Sequence, residues 1–226
     1  MENLFLDYKI NLNKNQLEKF EKYYDLLVFY NQKFNITAIT EKTEVYKKHF
    51  IDSLLGVEFF DCGLLIDIGS GGGFPAIPLK IVNDSLDVTM LEATGKKCDF
   101  LNTVIKELDL KNIRVINGRA EEYAKNPKFR ESFDYCTARA VARLNTLCEY
   151  CLPFVKKGGY FVSYKGDATD EFREVTNALK ILGGKVEDIK TYLLEDAKRT
   201  LIKIKKENST TPKYPRGNGK ERKNPL

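Results

Sequence analysis

The chain has 226 residues, 42% apolar and 31% charged, with a net charge of +5. That length supports one large domain with its own core, and no apolar run reaches the ~18 residues of a membrane span. Met1–Ile10 lacks the basic start and apolar stretch of a secretion signal, so a soluble cytoplasmic protein is expected, and its five cysteines argue against structural disulfides.

In chain order, Leu17, Phe20, Tyr24, Leu27 and Phe34 recur at helical spacing, and Asn13 with Gln16 forms a capping box ahead of them. Asn31–Thr40 interrupts the pattern, and a second helix is predicted from Thr43 to Leu55, bounded by Gly56. Residues 1–60 therefore read as a small helical cap. After Asp61 short apolar strands (Leu64–Ile68, Val88–Leu91, Ile113–Ile116, Phe133–Thr137, Tyr160–Tyr164) alternate with helices near Ile77–Val82, Lys96–Leu108, Val141–Val155 and Ala168–Leu182. Such alternation predicts an α/β fold, a parallel sheet with helices on both faces. Val186–Leu193 and Thr200–Lys206 follow each other without a helix, which predicts an antiparallel hairpin at the end of the sheet. Residues 61–206 thus form the α/β domain. Residues 207–226, with three prolines and two glycines, read as an extended or mobile tail.

The positive charge is concentrated at that end. Residues 203–226 hold eight Lys or Arg against two Glu, while the other 202 residues net −1. A charge run is often only a solvated face. The sharper reading is phosphate contact by Lys203, Lys205, Lys206, Arg216, Arg222 and Lys223, because clustered cations release counterions from nucleic acid.

The strongest motif is Asp67-Ile68-Gly69-Ser70-Gly71-Gly72-Gly73-Phe74-Pro75, between a strand and a helix. This is where a nucleotide-like ligand meets the strand ends of a doubly wound sheet. Counted from Gly69, a dinucleotide fingerprint needs glycine at the sixth position, where Phe74 stands. The P-loop pattern fails around Gly95-Lys96. Asp67 at the strand end suits an S-adenosylmethionine site better. Glu92, 23 residues after Gly69, ends the next strand, where a carboxylate can accept both ribose hydroxyls. Ala120-Glu121 after the third strand can flank an adenine.

These motifs resemble the RsmG (GidB) family of small-subunit ribosomal RNA methyltransferases over nearly the whole chain. The resemblance rests on Asn35-Ile36-Thr37-Ala38-Ile39, His49-Phe50-Ile51-Asp52-Ser53, the glycine motif through Leu79, Gly95-Lys96-Lys97, Arg119-Ala120-Glu121, Thr137-Ala138-Arg139-Ala140, Lys165-Gly166 and the tail from Tyr214-Pro215-Arg216 to Pro225-Leu226. It implies a class I S-adenosylmethionine-dependent methyltransferase fold, Rossmann-like and seven-stranded, that places N7-methylguanosine in 16S ribosomal RNA of the small subunit. Gly69, Gly71, Phe74, Glu92, Ala93, Thr94, Ala120, Glu121 and Arg139 would then line the cofactor site, with Asp67 at its base. The tail departs from the family in reading Arg-Gly-Asn-Gly where more basic residues are usual.

Guanine N7 is an acceptor without a proton, so its methylation needs no general base, and catalysis reduces mainly to proximity and orientation. The segment Asp134–Arg139 lacks the proline-rich loop common in exocyclic-amine methylation, and Cys136 is the one candidate nucleophile for cytosine C5 chemistry. His49, Asn35 and Arg139 are candidates to place the guanine, with structural hydrogen bonding the plainer reading of the single histidine. Lys165 and Arg199 are further candidates for RNA phosphate. Cys148 and Cys151 lack a second pair for zinc and read as buried thiols, so no metal is expected. The reading is a monomer. Two rivals stand beside it: a small-molecule methyltransferase with a merely solvated tail, and an RNA-binding assembly factor without catalysis.

Overall fold

The computed structural model describes residues 1–139 and 142–226. It opens with α1 (Glu2–Asp7) and α2 (Lys14–Asn31). The α2 helix starts where the capping box closes: Gln16 N donates to Asn13 Oδ1 at 2.9 Å, and Asn13 N to Gln16 Oε1 at 3.0 Å. Its buried stripe is Phe20, Tyr23 and Leu27, whereas Tyr24 is only half-buried. At the other end, Asn31 Oδ1 accepts from Ile36 N at 2.8 Å and Thr37 N at 3.0 Å, which folds the following loop back. The second helical run is α3 (Lys42–Val45), a wide π-helical turn (Tyr46–Ile51) and α4 (Asp52–Leu54). Glu41 caps it, accepting from Thr43 N and Glu44 N.

The alternating part follows as β1 (Gly63–Ile68), α5 (Ala76–Val82), β2 (Leu86–Glu92), α6 (Gly95–Glu107), β3 (Ile113–Asn117), α7 (Ala120–Tyr123), β4 (Phe133–Arg139), α8 (Leu144–Cys151), β5 (Val155–Lys165), α9 (Glu171–Leu182), β6 (Gly184–Leu194) and β7 (Ala197–Lys206). They build a seven-stranded sheet in the order β3-β2-β1-β4-β5-β7-β6. The first five strands are parallel, and β7 runs antiparallel to both β5 and β6. Strand order reverses between β1 and β4, the switch point at which such sheets bind ligands beyond their carboxyl ends. Asp67 of β1 pairs in register with Thr137 of β4 and Met90 of β2 there.

Successive residues of β1 face opposite sides. Leu65 joins a core with Phe20, Tyr23 and Phe50 of the cap and Ile77 and Leu101 of α5 and α6. Ile66 joins a second core with Leu147, Cys151 and Val175 of α8 and α9. The cap is thus continuous with one face of the sheet. Cys148 and Cys151 are free thiols buried in the other core, as their spacing on one helix led us to expect. Val141, where the third sheet-covering helix was predicted to begin, lies outside the described residues, as does Ala140. That helix gives way to a 3-10 turn (Leu152–Phe154) at Pro153, which has no backbone N–H to continue it, and β5 begins five residues earlier than predicted.

The tail corrects an expectation. It is neither extended nor unpacked: Thr210, Tyr214 and Glu221 are buried, and the chain ends in a short helix, α10 (Lys220–Lys223). Arg130 holds it down, donating through Nη1 to Ala124 O and Tyr214 O and through Nη2 to Thr210 O and Thr211 O, all at 2.7–3.0 Å. One guanidinium satisfies four carbonyls, two of them more than eighty positions away in sequence, a pairing invisible to local pattern.

Candidate active site

The glycine turn sits at the switch point. Gly69, Gly71 and Gly73 take left-handed backbone angles (φ +71°, +57° and +92°), open to glycine at little steric cost. Gly73 is also crowded: a Cβ there would lie 2.7 Å from Tyr23 Oη and 2.6 Å from Ile77 Cδ1. The Tyr23 hydroxyl donates to Gly72 O, tying the turn to α2. On its other side Glu92 accepts from Gly71 N at 2.9 Å through Oε2 and from Thr94 N at 2.8 Å through Oε1. Glu92 therefore clamps two loops before it meets any ligand, and each carboxylate oxygen keeps a second lone pair for a hydroxyl.

Asp67 is wholly buried, and neither of its carboxylate oxygens has a hydrogen-bond partner. Burial pushes its carboxyl up to about 7, with the neighbouring Ser70 hydroxyl and then the positive charge of Arg139 opposing the shift. Buried polar groups are rarely left unpaired, so this one calls for a cationic or hydrogen-bond-donating ligand. Nearby lies a cavity of about 280 Å³ walled by Ile68, Gly69, Leu91 and Ala93 on one side and by Gly118, Arg119, Ala120 and Glu121 on another, with Tyr150, Gly219 and Arg222 completing it. Apolar walls with a carboxylate at the rim suit a purine nucleoside. Together with the orphaned Asp67, they fit S-adenosyl-L-methionine, whose ammonium would meet the acid.

Phe74 and Thr94 do not line that cavity. Phe74 is a buried platform instead: the His49 ring stacks on it at 4.5 Å, the Tyr23 ring at 5.5 Å, and the Arg139 guanidinium lies 4.9 Å from its centroid. Thr94 is the exposed N-cap of α6. Both were expected against the cofactor, as were Gly71, Glu92 and Arg139, which do not line that cavity either.

A second cavity of about 290 Å³ is lined by Ile39, Lys48, His49, Asp52, Arg139, Tyr164, Lys165, Gly166 and Arg199. Arg139, ending β4, donates to Asp52 Oδ2 and Lys48 O at 3.1 Å and lies 3.2 Å from His49 Nδ1. Asp52 Oδ1 accepts from Tyr192 Oη at 3.0 Å and pairs with Arg199 Nε at 3.5 Å. One buried carboxylate thus holds two arginines in place. His49 Nε2 meets Thr37 Oγ1 at 2.8 Å, and burial beside Arg139 lowers the ring's pKa to about 3. The imidazole is neutral at physiological pH, so it offers no charge to a phosphate. Asn35 is exposed and lines neither cavity. Its loop contributes Ile39 instead, which corrects its place among the groups that hold the target base.

The basic residues divide. Lys165 and Arg199 reach the second cavity, Lys165 while donating to Ala142 O at 2.8 Å and pairing with Glu171 at 3.0 Å. Lys206 is wholly buried, donating to Leu152 O at 2.7 Å and to Thr210 Oγ1, and burial lowers its pKa to about 8. Arg216 donates to buried Glu149 through Nε and Nη2. Neither is available to a phosphate, which corrects both expectations. Lys203 lies over the Tyr160 and Phe59 rings, and Lys205 pairs in register with Tyr160. Because β7 runs antiparallel, both point away from the mouth, a second correction. Arg222 and Lys223 remain exposed on α10.

Sequence reasoning missed Tyr23, Asp52, Tyr150 and Gly219. Asp52 stood three residues from His49, a spacing that hinted at a shared face; Tyr150 and Gly219 carried no local signal.

A family model described as "GidB: rRNA small subunit methyltransferase G" matches residues 16–202. The ribosomal RNA small subunit methyltransferase G of Lachnoclostridium phytofermentans is 51% identical over 223 residues, covering 96% of this chain and 92% of that protein. Its namesake in Acetivibrio thermocellus is 50% identical over 221 residues, covering 96% and 91%. Among solved structures, M. jannaschii TYW2 in complex with AdoMet superimposes with a TM-score of 0.55 at 14% identity, covering 70% of this chain and 76% of that one. Aeropyrum pernix fibrillarin, with bound S-adenosyl-L-methionine, gives 0.53 at 17%, covering 68% and 72%. At such identities these structures establish the class I methyltransferase fold alone.

Proposed function

The chain belongs to the small-subunit ribosomal RNA methyltransferase G (GidB) family, and from that membership we propose that it methylates N7 of one guanine of 16S ribosomal RNA, using S-adenosyl-L-methionine. The observation that carries the reading is Asp67, a buried carboxylate without a partner beside a glycine turn clamped by Glu92. When bound, the cofactor supplies a sulfonium methyl open to a lone pair. Asp67 would hold its ammonium, Glu92 its ribose, and Ala93, Ala120 and Glu121 its adenine.

The second cavity supports a target that gives up no proton. A general base should titrate near the working pH, yet His49 is neutral down to about 3 and hydrogen-bonded on both ring nitrogens. Arg139 is held by Asp52 and Lys48 O, so its role is to orient the guanine. RNA phosphates would meet Lys96, Lys97, Lys165, Arg199 and Lys223. We take the enzyme to act as a cytoplasmic monomer with a division at 1–60, 61–206 and 207–226. Among the described residues no helix is long and apolar enough to cross a membrane.

The test is methyl transfer from radiolabelled S-adenosyl-L-methionine to unmodified small subunits and to free 16S RNA, followed by digestion to nucleosides and mass identification. Label in N7-methylguanosine is expected. Label in another nucleoside overturns the assignment of the atom. Cofactor binding with no labelled RNA moves the reading to a small-molecule substrate.

A further inference from the structure

Apart from Lys223, the tail carries charge that the RNA reading leaves without a use, and its contacts lead elsewhere. Glu149 of α8 is fully buried and accepts from Arg216 three times: from its backbone N at 2.9 Å, its Nε at 2.9 Å and its Nη2 at 2.6 Å. Five residues on, buried Glu221 accepts from Gly217 N, while Thr146 Oγ1 of α8 donates to Glu221 O at 2.9 Å. Between these two anchors the backbone is left-handed at three consecutive residues, Gly217, Asn218 and Gly219 (φ +81°, +58° and +72°). Side chains other than asparagine tolerate that conformation poorly. The Arg-Gly-Asn-Gly stretch, the one departure from its family's basic tail, is therefore a tight turn, and the turn delivers Gly219 and Arg222 to the wall of the 280 Å³ cavity.

We propose that Gly219 and Arg222 form the adenosine-side wall of the cofactor cavity, positioned by the buried Glu149–Arg216 pair, so that this end of the chain sets cofactor affinity. The inference rests on the reading of that cavity as the adenosine site. Glu149 and Arg216 are positioning residues, since neither lines the cavity, whereas Gly219 and Arg222 do. A buried ion pair contributes little net stability but fixes geometry when its partners are fully hydrogen-bonded, and three donors on one carboxylate meet that condition.

The experiment uses the full chain. Binding of S-adenosyl-L-methionine is measured by calorimetry, and binding of cofactor-free protein to 16S RNA by filter retention, for the wild type, Arg216→Gln, Arg216→Lys, Arg222→Ala and Glu149→Gln. Circular dichroism reports folding; Arg222→Ala alters an exposed side chain and keeps the test open should Glu149→Gln not fold. Cofactor Kd is expected to rise about tenfold in Arg216→Gln, as loss of a charge-assisted bond implies. Arg216→Lys should recover part of it, Arg222→Ala should weaken it severalfold, and RNA affinity should stay within about twofold throughout. Unchanged cofactor Kd in the folded variants overturns the proposal while leaving the methyltransferase reading intact, and weakened RNA binding in the same variants returns the tail to an RNA anchor. A wild-type chain that binds no cofactor overturns both.

Discussion

Burial acts on Asp67 and His49 in opposite directions. It raises the Asp67 carboxyl to about 7 and lowers the His49 ring to about 3, in each case favouring the neutral form. For Asp67 the folded state keeps a proton that the unfolded state has already released, so cofactor-free stability falls as pH rises from about 4 to 7, by at most about 4 kcal/mol. For His49 the unfolded state gains a proton that the folded state refuses, so stability falls as pH drops from about 6.5 to 3. Asp67→Asn removes the first effect. The cofactor-free variant should melt above wild type at pH 8, with the gap closing at pH 4, and should bind S-adenosyl-L-methionine at least tenfold more weakly; a melting difference independent of pH would contradict the buried neutral acid. His49 is the single histidine, so its NMR titration is unambiguous. Its ring should remain neutral at pH 5, and a midpoint near 6.5 would mean that the stack on Phe74 and the shielding by Arg139 do not hold in solution.

At the scale of elements, the glycine turn is held by the helices of the cap. Tyr23 stacks between Phe50 and Phe74 and donates to Gly72 O, 49 residues away. Tyr23→Phe keeps the stack and leaves that carbonyl unpaired, a loss of about 1–3 kcal/mol. Cofactor Kd should therefore rise several-fold with the fold intact; an unaltered Kd would mean that Glu92 alone holds the turn. Here the limits of sequence reading become concrete. Asp67, Gly69 and Glu92 were legible because a strand-turn-helix pattern places its ligand residues at fixed offsets. Tyr23 was not, because helical periodicity admits either Tyr23 or Tyr24 on the buried face and only the packing of Phe50 decides between them. Phe74 was legible as a position but not as a role, since its partners His49 and Arg139 come from separate elements. Asn35 failed for the same reason: a loop tip was read as entering the cleft, but Asn31 turns that loop so that Ile39 enters instead.

At the scale of the molecule, charge counted along the chain differs from charge presented to a partner. The net of +6 in residues 203–226 suggested one basic arm, yet Lys206 is buried, Arg216 is paired with Glu149, and Lys203 rests on two aromatic rings. None of this is visible locally, because each lysine's surroundings are set by strand direction and by residues far away. The strand ends instead present Lys96 and Lys97 at the start of α6, four and five residues after Glu92, and neither forms an ion pair among the described residues. Each cation that meets a phosphate releases about one counterion, so the slope of log K against log salt counts them. Lys96→Ala and Lys97→Ala should each flatten that slope by roughly one unit for small-subunit RNA, while Lys203→Ala and Lys205→Ala should leave it unchanged. The comparison needs binding measured from low to physiological salt with all four variants on one RNA. Flattening by Lys203→Ala or Lys205→Ala equal to that of the α6 pair would mean that RNA wraps past the hairpin edge of the sheet, and that the strand ends alone do not define the contact surface.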